Sequence, residues 1–176
     1  YRKSNRYHGT RRNNALMFDP QQLDETIYLS GVMMETNSDT LFEDLKTISK
    51  KYAKIKPQIK HLKKPVYTVV ATSSKKLFMG DMTEKANKQM ASLKIEKGQW
   101  IVKVPVKYHT QALLPAKVAE LRKKFYQDWL PYQDFDQDDA WQDLEVYHYR
   151  KRRFRKATKM VMELWFCIKP IQKDKV

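Results

Sequence analysis

The sequence predicts an α+β fold of two strand–helix–strand–strand modules with pseudo-two-fold symmetry. Antiparallel sheets carry helices on one face, and a ligand cleft lies between the modules. Three observations carry this expectation. Segments with a period of two and segments at helical spacing recur in one order, twice. The second set follows the first at about 75 residues, a repeat of architecture with little residue identity. The chain has 176 residues, 41% hydrophobic and 12% aromatic, enough for one core or two small halves sharing one.

Taken in order, residues 1–25 are polar and basic, contain the breaker Asp19-Pro20, and read as a basic arm or lead-in. Residues 26–35 alternate well enough for a strand. Thr40 and Glu43 have capping-box spacing, and Leu41, Leu45, Ile48 and Tyr52 follow at helical intervals. That helix ends before Pro57, and a basic linker runs to Pro65. Residues 66–72 and 77–82 are short strands around a turn at 73–76, completing a first module at about 26–85. The second module covers about 99–170. Residues 100–107 form a strand with Trp100, Val102, Val104 and Val106 on one face. Pro115 suits the first turn of a helix whose apolar stripe is Val118, Leu121, Phe125 and Trp129, and Pro131 stops it. Residues 142–150 and 159–169 are the closing strands, and 171–176 form a tail.

Composition removes several function classes. No apolar run approaches the ~20 residues of a membrane span, and the N-terminus lacks a signal-peptide core. The single cysteine, Cys167, excludes an intrachain disulfide and reads as a small buried residue compatible with a reducing compartment, hence a cytoplasmic protein. His8, His61, His109 and His148 show no metal-ligand spacing, so no metal and no cofactor are expected. With four glycines there is no nucleotide cradle, and no Gly-x-Ser-x-Gly elbow occurs. The net charge is +15, concentrated at residues 2–12, 46–64 and 150–156. Such a surface serves solubility, and it also fits DNA, an anionic membrane surface or an acidic protein partner, although no sequence-reading element accompanies it. The acidic stretch 134–139 lacks the turn glycine of a calcium loop and reads as a solvated loop complementing basic neighbours.

The chemistry concentrates in the closing strands. Along 143–149, Leu144, Val146 and His148 fall on one face, and Glu145, Tyr147 and Tyr149 on the other. In 160–168, Trp165 has the opposite parity from Met162, Leu164 and Phe166, and Glu163 shares its parity. A carboxylate among aromatic rings suits a lipophilic cation, because ring faces carry negative potential and poor hydration strengthens the charge pair. By itself, a strand glutamate reads first as a solvated residue or one paired with a lysine or arginine.

These residues carry a resemblance. Trp129-Leu130-Pro131, an acidic loop, Leu144-Glu145-Val146-Tyr147, a basic turn and a strand ending Ile168-Lys169-Pro170 resemble the end of the gyrase-inhibitory-protein-like (GyrI-like) effector-binding family. Tyr67-Thr68-Val69-Val70, Leu77-Phe78-Met79-Gly80 and Gly98-Gln99-Trp100-Ile101-Val102 extend it over residues 26–170. The resemblance implies a binder of bulky hydrophobic or cationic amphipathic compounds, in drug or toxin sensing or sequestration, either free-standing or as the effector-binding part of a transcription regulator. It makes Glu145 the pocket acid, with Tyr147, Trp165 and Tyr67 as aromatic partners and Glu163 as a rival acid. Some members of the family hydrolyse electrophilic toxins, so the same glutamate could direct water or protonate a leaving atom. A field from +15 charges opposes cation binding, although screening over ~8 Å limits the penalty. Neutral or anionic amphiphiles therefore stay open as ligands.

Overall fold

A computed structural model describes residues 17–151 and 158–172. Strands β1 (Pro20–Gln22), β2 (Ile27–Glu35), β3 (Thr68–Thr72), β4 (Lys76–Thr83), β5 (Ala91–Ile95), β6 (Trp100–Val106), β7 (Phe135–Gln137), β8 (Asp143–Lys151) and β9 (Thr158–Pro170) make one sheet. Helix α1 (Leu41–Ile55) joins β2 to β3, and α2 (Leu114–Lys123) continues as a π-helical segment, Lys124–Trp129, between β6 and β7. The strand order is β1-β6-β9-β8-β3-β4-β2-β5, with β7 added to β9, and every ladder is antiparallel.

The expected repeat is present. β2-α1-β3-β4 and β6-α2-β8-β9 are the two modules, and their β3 and β8 strands pair at the centre of the continuous sheet. The central register, Thr68↔Tyr147, Val70↔Glu145 and Thr72↔Asp143, places the pseudo-two-fold axis beside Val70 and Glu145. Rotation about it carries Thr68 onto Asp143, Val70 onto Glu145 and Thr72 onto Tyr147. Tyr52 of α1 and Tyr126 of the π-helical segment after α2 bear this out, because their hydroxyls reach the equivalent strand residues Thr68 (3.3 Å) and Asp143 (3.4 Å).

Each helix covers the same sheet face. Val118, Leu121, Phe125 and Trp129 pack with Val102, Val104, Leu164 and Phe166, and the Phe125 and Phe166 rings stack at 3.8 Å. Ile48 of α1 packs with Val70 and Leu77 in a smaller cluster. The opposite face is concave. Leu93 and Ile95 of β5 share one cluster with Ile101 of β6 and with Val69, Leu144 and Trp165 from the middle. Such coiling follows from the right-handed twist of a long antiparallel sheet. Where β2 pairs with β4, Gly31 faces Gly80, and a Cβ on Gly31 would lie 2.1 Å from the Met79 carbonyl oxygen, so the backbones come this close only without side chains there.

Several expectations need correction. The fold begins before residue 26: Phe18 is 1% exposed in the α2 cluster and β1 pairs with β6, so the hydrophobic core claims part of the expected lead-in. β5 was not expected, because its five residues bury only Leu93 and Ile95 and look weakly amphipathic alone. β7 lies inside the acidic loop, where edge pairing to β9 supplies the backbone bonds. Thr40 does not form a capping box; its hydroxyl donates to Asp44 (2.6 Å), while Asn37 Oδ1 accepts the Thr40 amide. Residues 1–16 of the expected 1–25 arm, and residues 152–156 of the basic run 150–156, lie outside the described residues.

Candidate functional site

Directly paired strand residues share a face, so the register decides which predicted site residues can meet. The rows Thr68–Tyr147–Met162, Val70–Glu145–Leu164 and Thr72–Asp143–Phe166 lie on the helix-covered face. Leu144–Trp165 and Val146–Glu163 lie on the concave one. Tyr67, one residue before Thr68, also points to the concave side, its ring 4.9 Å from that of His148. The five candidate ligand-binding residues therefore separate. Glu145 and Tyr147 come together, and Tyr67, Glu163 and Trp165 stand on the other side of the sheet.

On the helix-covered face a cleft of about 520 Å³ opens between the modules. Leu41, Leu45 and Ser49 of α1 form one wall, Arg122 of α2 and Tyr126 of its π-helical continuation the other. Thr68, Val70, Thr72 and Met79 floor the first side, and Gln142, Asp143, Glu145 and Tyr147 floor the second. The two sides are chemically unlike. Where α1 sets Leu41, Leu45, Val70 and Met79, α2 faces an ionic cluster.

That cluster is closely bonded. Arg122 Nε donates to Asp143 Oδ2 (3.1 Å), and Nη2 donates to Asp143 Oδ1 (2.7 Å) and to Glu145 Oε1 (2.8 Å). Tyr147 Oη donates to Glu145 Oε2, and Tyr126 Oη donates to the Gln142 carbonyl (3.1 Å) and Asp143 Oδ2 (3.4 Å). The Asp143 side chain is 5% exposed, that of Glu145 20% and that of Arg122 33%. One cation against two carboxylates leaves one surplus negative charge. Burial works against the Arg122 charge, but the hydrogen bonds and charges of Asp143, then Glu145, hold its pKa above the usual value. Burial, then Glu145, raises the Tyr147 phenol; burial, then Asp143, raises Tyr126. Both rings enter the cleft as neutral phenols.

Arg122, Asp143 and Tyr126 were missed in the sequence. Strand alternation already places Asp143 with Glu145, and Arg122 and Tyr126 sit four apart beside the Val118–Leu121–Phe125 stripe. Which helix flank faces the strand was not legible, and the π-helical segment Lys124–Trp129 lies in that same stretch.

The concave face carries its own charge pairing. Trp165 Nε1 donates to Glu163 Oε2 (2.9 Å), and Lys103 Nζ sits 4.3 Å from the Trp165 ring centroid. A resident lysine thus occupies the ring where a cationic ligand would stack. Asp81 stands apart from both sites. It is 1% exposed beneath α1, its Oδ1 accepts from Tyr52 and Thr68 (2.7 Å each), and its Oδ2 has no partner. Among the described residues no group of three metal-ligating side chains occurs, and no helix is long and apolar enough to cross a membrane. Lys169 pairs with Asp139 (2.6 Å) in the acidic loop.

Solved structures share this fold. SAV2435 bound to tetraphenylphosphonium has 12% identity and a TM-score of 0.60, over 86% of this chain and 93% of that one. A protein from Staphylococcus aureus MU50, described as a bacterial transcription regulation protein, has 12% identity and a TM-score of 0.58, over 86% and 97%. The EcmrR C-terminal domain has 11% identity and a TM-score of 0.50, over 88% and 99%. No protein-family model matches the sequence, and no curated protein matches it. The fold is that of the GyrI-like effector-binding proteins.

Proposed function

We propose that this chain binds bulky hydrophobic small molecules, commonly cationic ones, in the cleft between α1 and α2. The role is sensing or sequestration of drugs or toxins in the cytoplasm, either alone or as the effector-binding part of a regulator. The observation that carries the reading is the polarity of the cleft: an apolar wall on the α1 side faces an acidic cluster on the α2 side. An amphipathic ligand would lay its rings against Leu41, Leu45, Val70 and Met79 and present its polar or positive end to Glu145. The fold is shared with a protein bound to tetraphenylphosphonium, which supports this ligand class. The cleft volume also falls in the ~300–1,000 Å³ range of small-molecule sites. Burying the ligand could supply several kcal/mol at ~25 cal/mol per Å² of apolar area, offset by the freedom lost on binding. Within a basic protein, the carboxylates act at contact distance, where screening by salt is least effective.

The test is titration with tetraphenylphosphonium, followed calorimetrically, of the wild type and of Leu45→Arg. The arginine would block the α1 wall and add a repelling charge. Saturable binding by the wild type and at least about tenfold weaker binding by the variant is the expected result. Equal binding by both proteins would place the ligand elsewhere and remove the cleft from the reading.

A further inference from the structure

We infer that Arg122 is a resident counter-ion that sets the charge selectivity of the cleft: a ligand cation reaches Glu145 by replacing the Arg122 contact, while Asp143 retains the guanidinium. The inference rests on the ligand-binding reading above and adds the residue that tunes it.

The two carboxylates hold Arg122 unequally. Asp143 takes the guanidinium in a fork, with Nε and Nη2 each on one of its oxygens at 3.1 and 2.7 Å, and its side chain is only 5% exposed. Forked pairs of this kind are strong and geometrically specific. Glu145 offers one oxygen to one nitrogen at 2.8 Å, is the more exposed of the two acids, and keeps its other oxygen on Tyr147. A competing cation therefore separates Arg122 from Glu145 before it separates Arg122 from Asp143. Glu145 is the exchangeable partner, and Tyr147 holds it in place during the exchange.

The pseudo-symmetry shows that this position of the fold does not by itself call for an ion pair. The counterparts of Asp143 and Glu145 are Thr68 and Val70, and α1 closes over Val70 with the buried, uncharged Ile48. At the Val70/Glu145 position the helix-on-strand contact is thus apolar in one module and ionic in the other. Without Arg122 the α2 side would present two adjacent carboxylates; with it, the surplus is one. The arginine thus weakens attraction for cations and lowers repulsion of anions in the same cleft.

Two probes of matched shape and opposite charge separate this effect from hydrophobic binding: tetraphenylphosphonium and tetraphenylborate. The measured quantity is the ratio of their affinities for the full chain. In Arg122→Gln, where the surplus rises from one negative charge to two, the ratio should move towards the phosphonium by at least about tenfold, one charge-assisted contact. In the double variant Arg122→Gln/Asp143→Asn, where Glu145 is freed but the surplus stays at one, it should move the same way by a smaller factor. The double variant removes both charges of the buried pair together, so the test survives if the single variant fails to melt cooperatively. Arg122→Lys keeps the charge and should stay near the wild-type ratio. Adding Glu145→Gln to the double variant should abolish the gain. An unchanged ratio, or a phosphonium affinity that falls when Arg122 is removed, would overturn the assignment while leaving the binding function intact. Failure of every protein to bind either probe would remove both.

Discussion

Glu145→Gln is the substitution that most directly questions the cleft. The side chain keeps its shape and loses its charge. In the wild type, Oε1 accepts from Arg122 at 2.8 Å and Oε2 accepts from Tyr147. Glutamine has one acceptor oxygen and an NH₂, so it serves only one of these donors in the present geometry. The least disruptive outcome keeps Arg122 on the amide oxygen and turns the Tyr147 hydroxyl to accept from the amide nitrogen. Arg122 retains its fork on Asp143, so no buried charge is stranded, and the stability loss should be about 1 kcal/mol. Unfolding entropy of ~2.1 cal/mol/K per residue, over a chain of this length, converts that to a melting-temperature fall of roughly 3 °C. Affinity for a lipophilic cation should fall further, by ~1.5–3 kcal/mol or about ten- to a hundredfold, because the ligand loses its charged partner. A neutral compound of similar shape should bind nearly as before, and Glu163→Gln, on the concave face, should leave cation binding unchanged. Calorimetric titration of the wild type and both variants, with melts alongside, measures all four quantities. Equal cation affinity in wild type and Glu145→Gln would refute the reasoning. A melting loss of ~10 °C or more would show instead that Glu145 is chiefly a structural ion.

Three further outcomes follow from the buried polar groups. Asp143→Ala should be the more damaging change in the ionic cluster, about 1.5–3 kcal/mol by denaturant unfolding, because it removes the fork on Arg122 and leaves only the Glu145 contact; a loss below ~1 kcal/mol would contradict this. Asp81→Leu deprives the Tyr52 and Thr68 hydroxyls of their shared acceptor and should cost ~2–4 kcal/mol, whereas Asp81→Asn retains a carbonyl oxygen for both and should cost less than half of that; equal losses would refute the assigned bonding. Burial first, then Asp81, Asp143 and Glu145 respectively, raise the phenol pKa values of Tyr52, Tyr126 and Tyr147. Between the unfolded pKa of ~10 and these raised values the folded chain holds protons that the unfolded chain releases, so stability is full below about pH 10 and declines as pH rises above it. Absorbance titration at alkaline pH should accordingly show a late group of tyrosines that ionises with unfolding; complete titration in one step near pH 10 with the fold intact would exclude it.

Much of the architecture was legible in local pattern. Periods of two and of 3.6 located both helices and the six main strands, because amphipathic segments record in their own sequence which side faces a core. The parity of residues 143–149 likewise separated Glu145 and Tyr147 from Leu144 and Val146, as the ladder with β3 shows. Parity within one strand, however, is silent about its relation to the next. Trp165 and Glu163 seemed candidates for the same pocket until the β8–β9 register set Leu144 against Trp165 and put both on the concave face. The short strands β1, β5 and β7 owe their form to hydrogen-bonding edges offered by β6, β2 and β9, and these partners are distant in sequence. Arg122 is the clearest case. Its charge, helix position and spacing from Tyr126 are all written in the chain, yet its union with Asp143 and Glu145 exists only where α2 crosses β8. Local periodicity determines which face of an element is buried. Only long-range pairing and packing decide which faces meet, and the charge of the cleft is a property of that meeting.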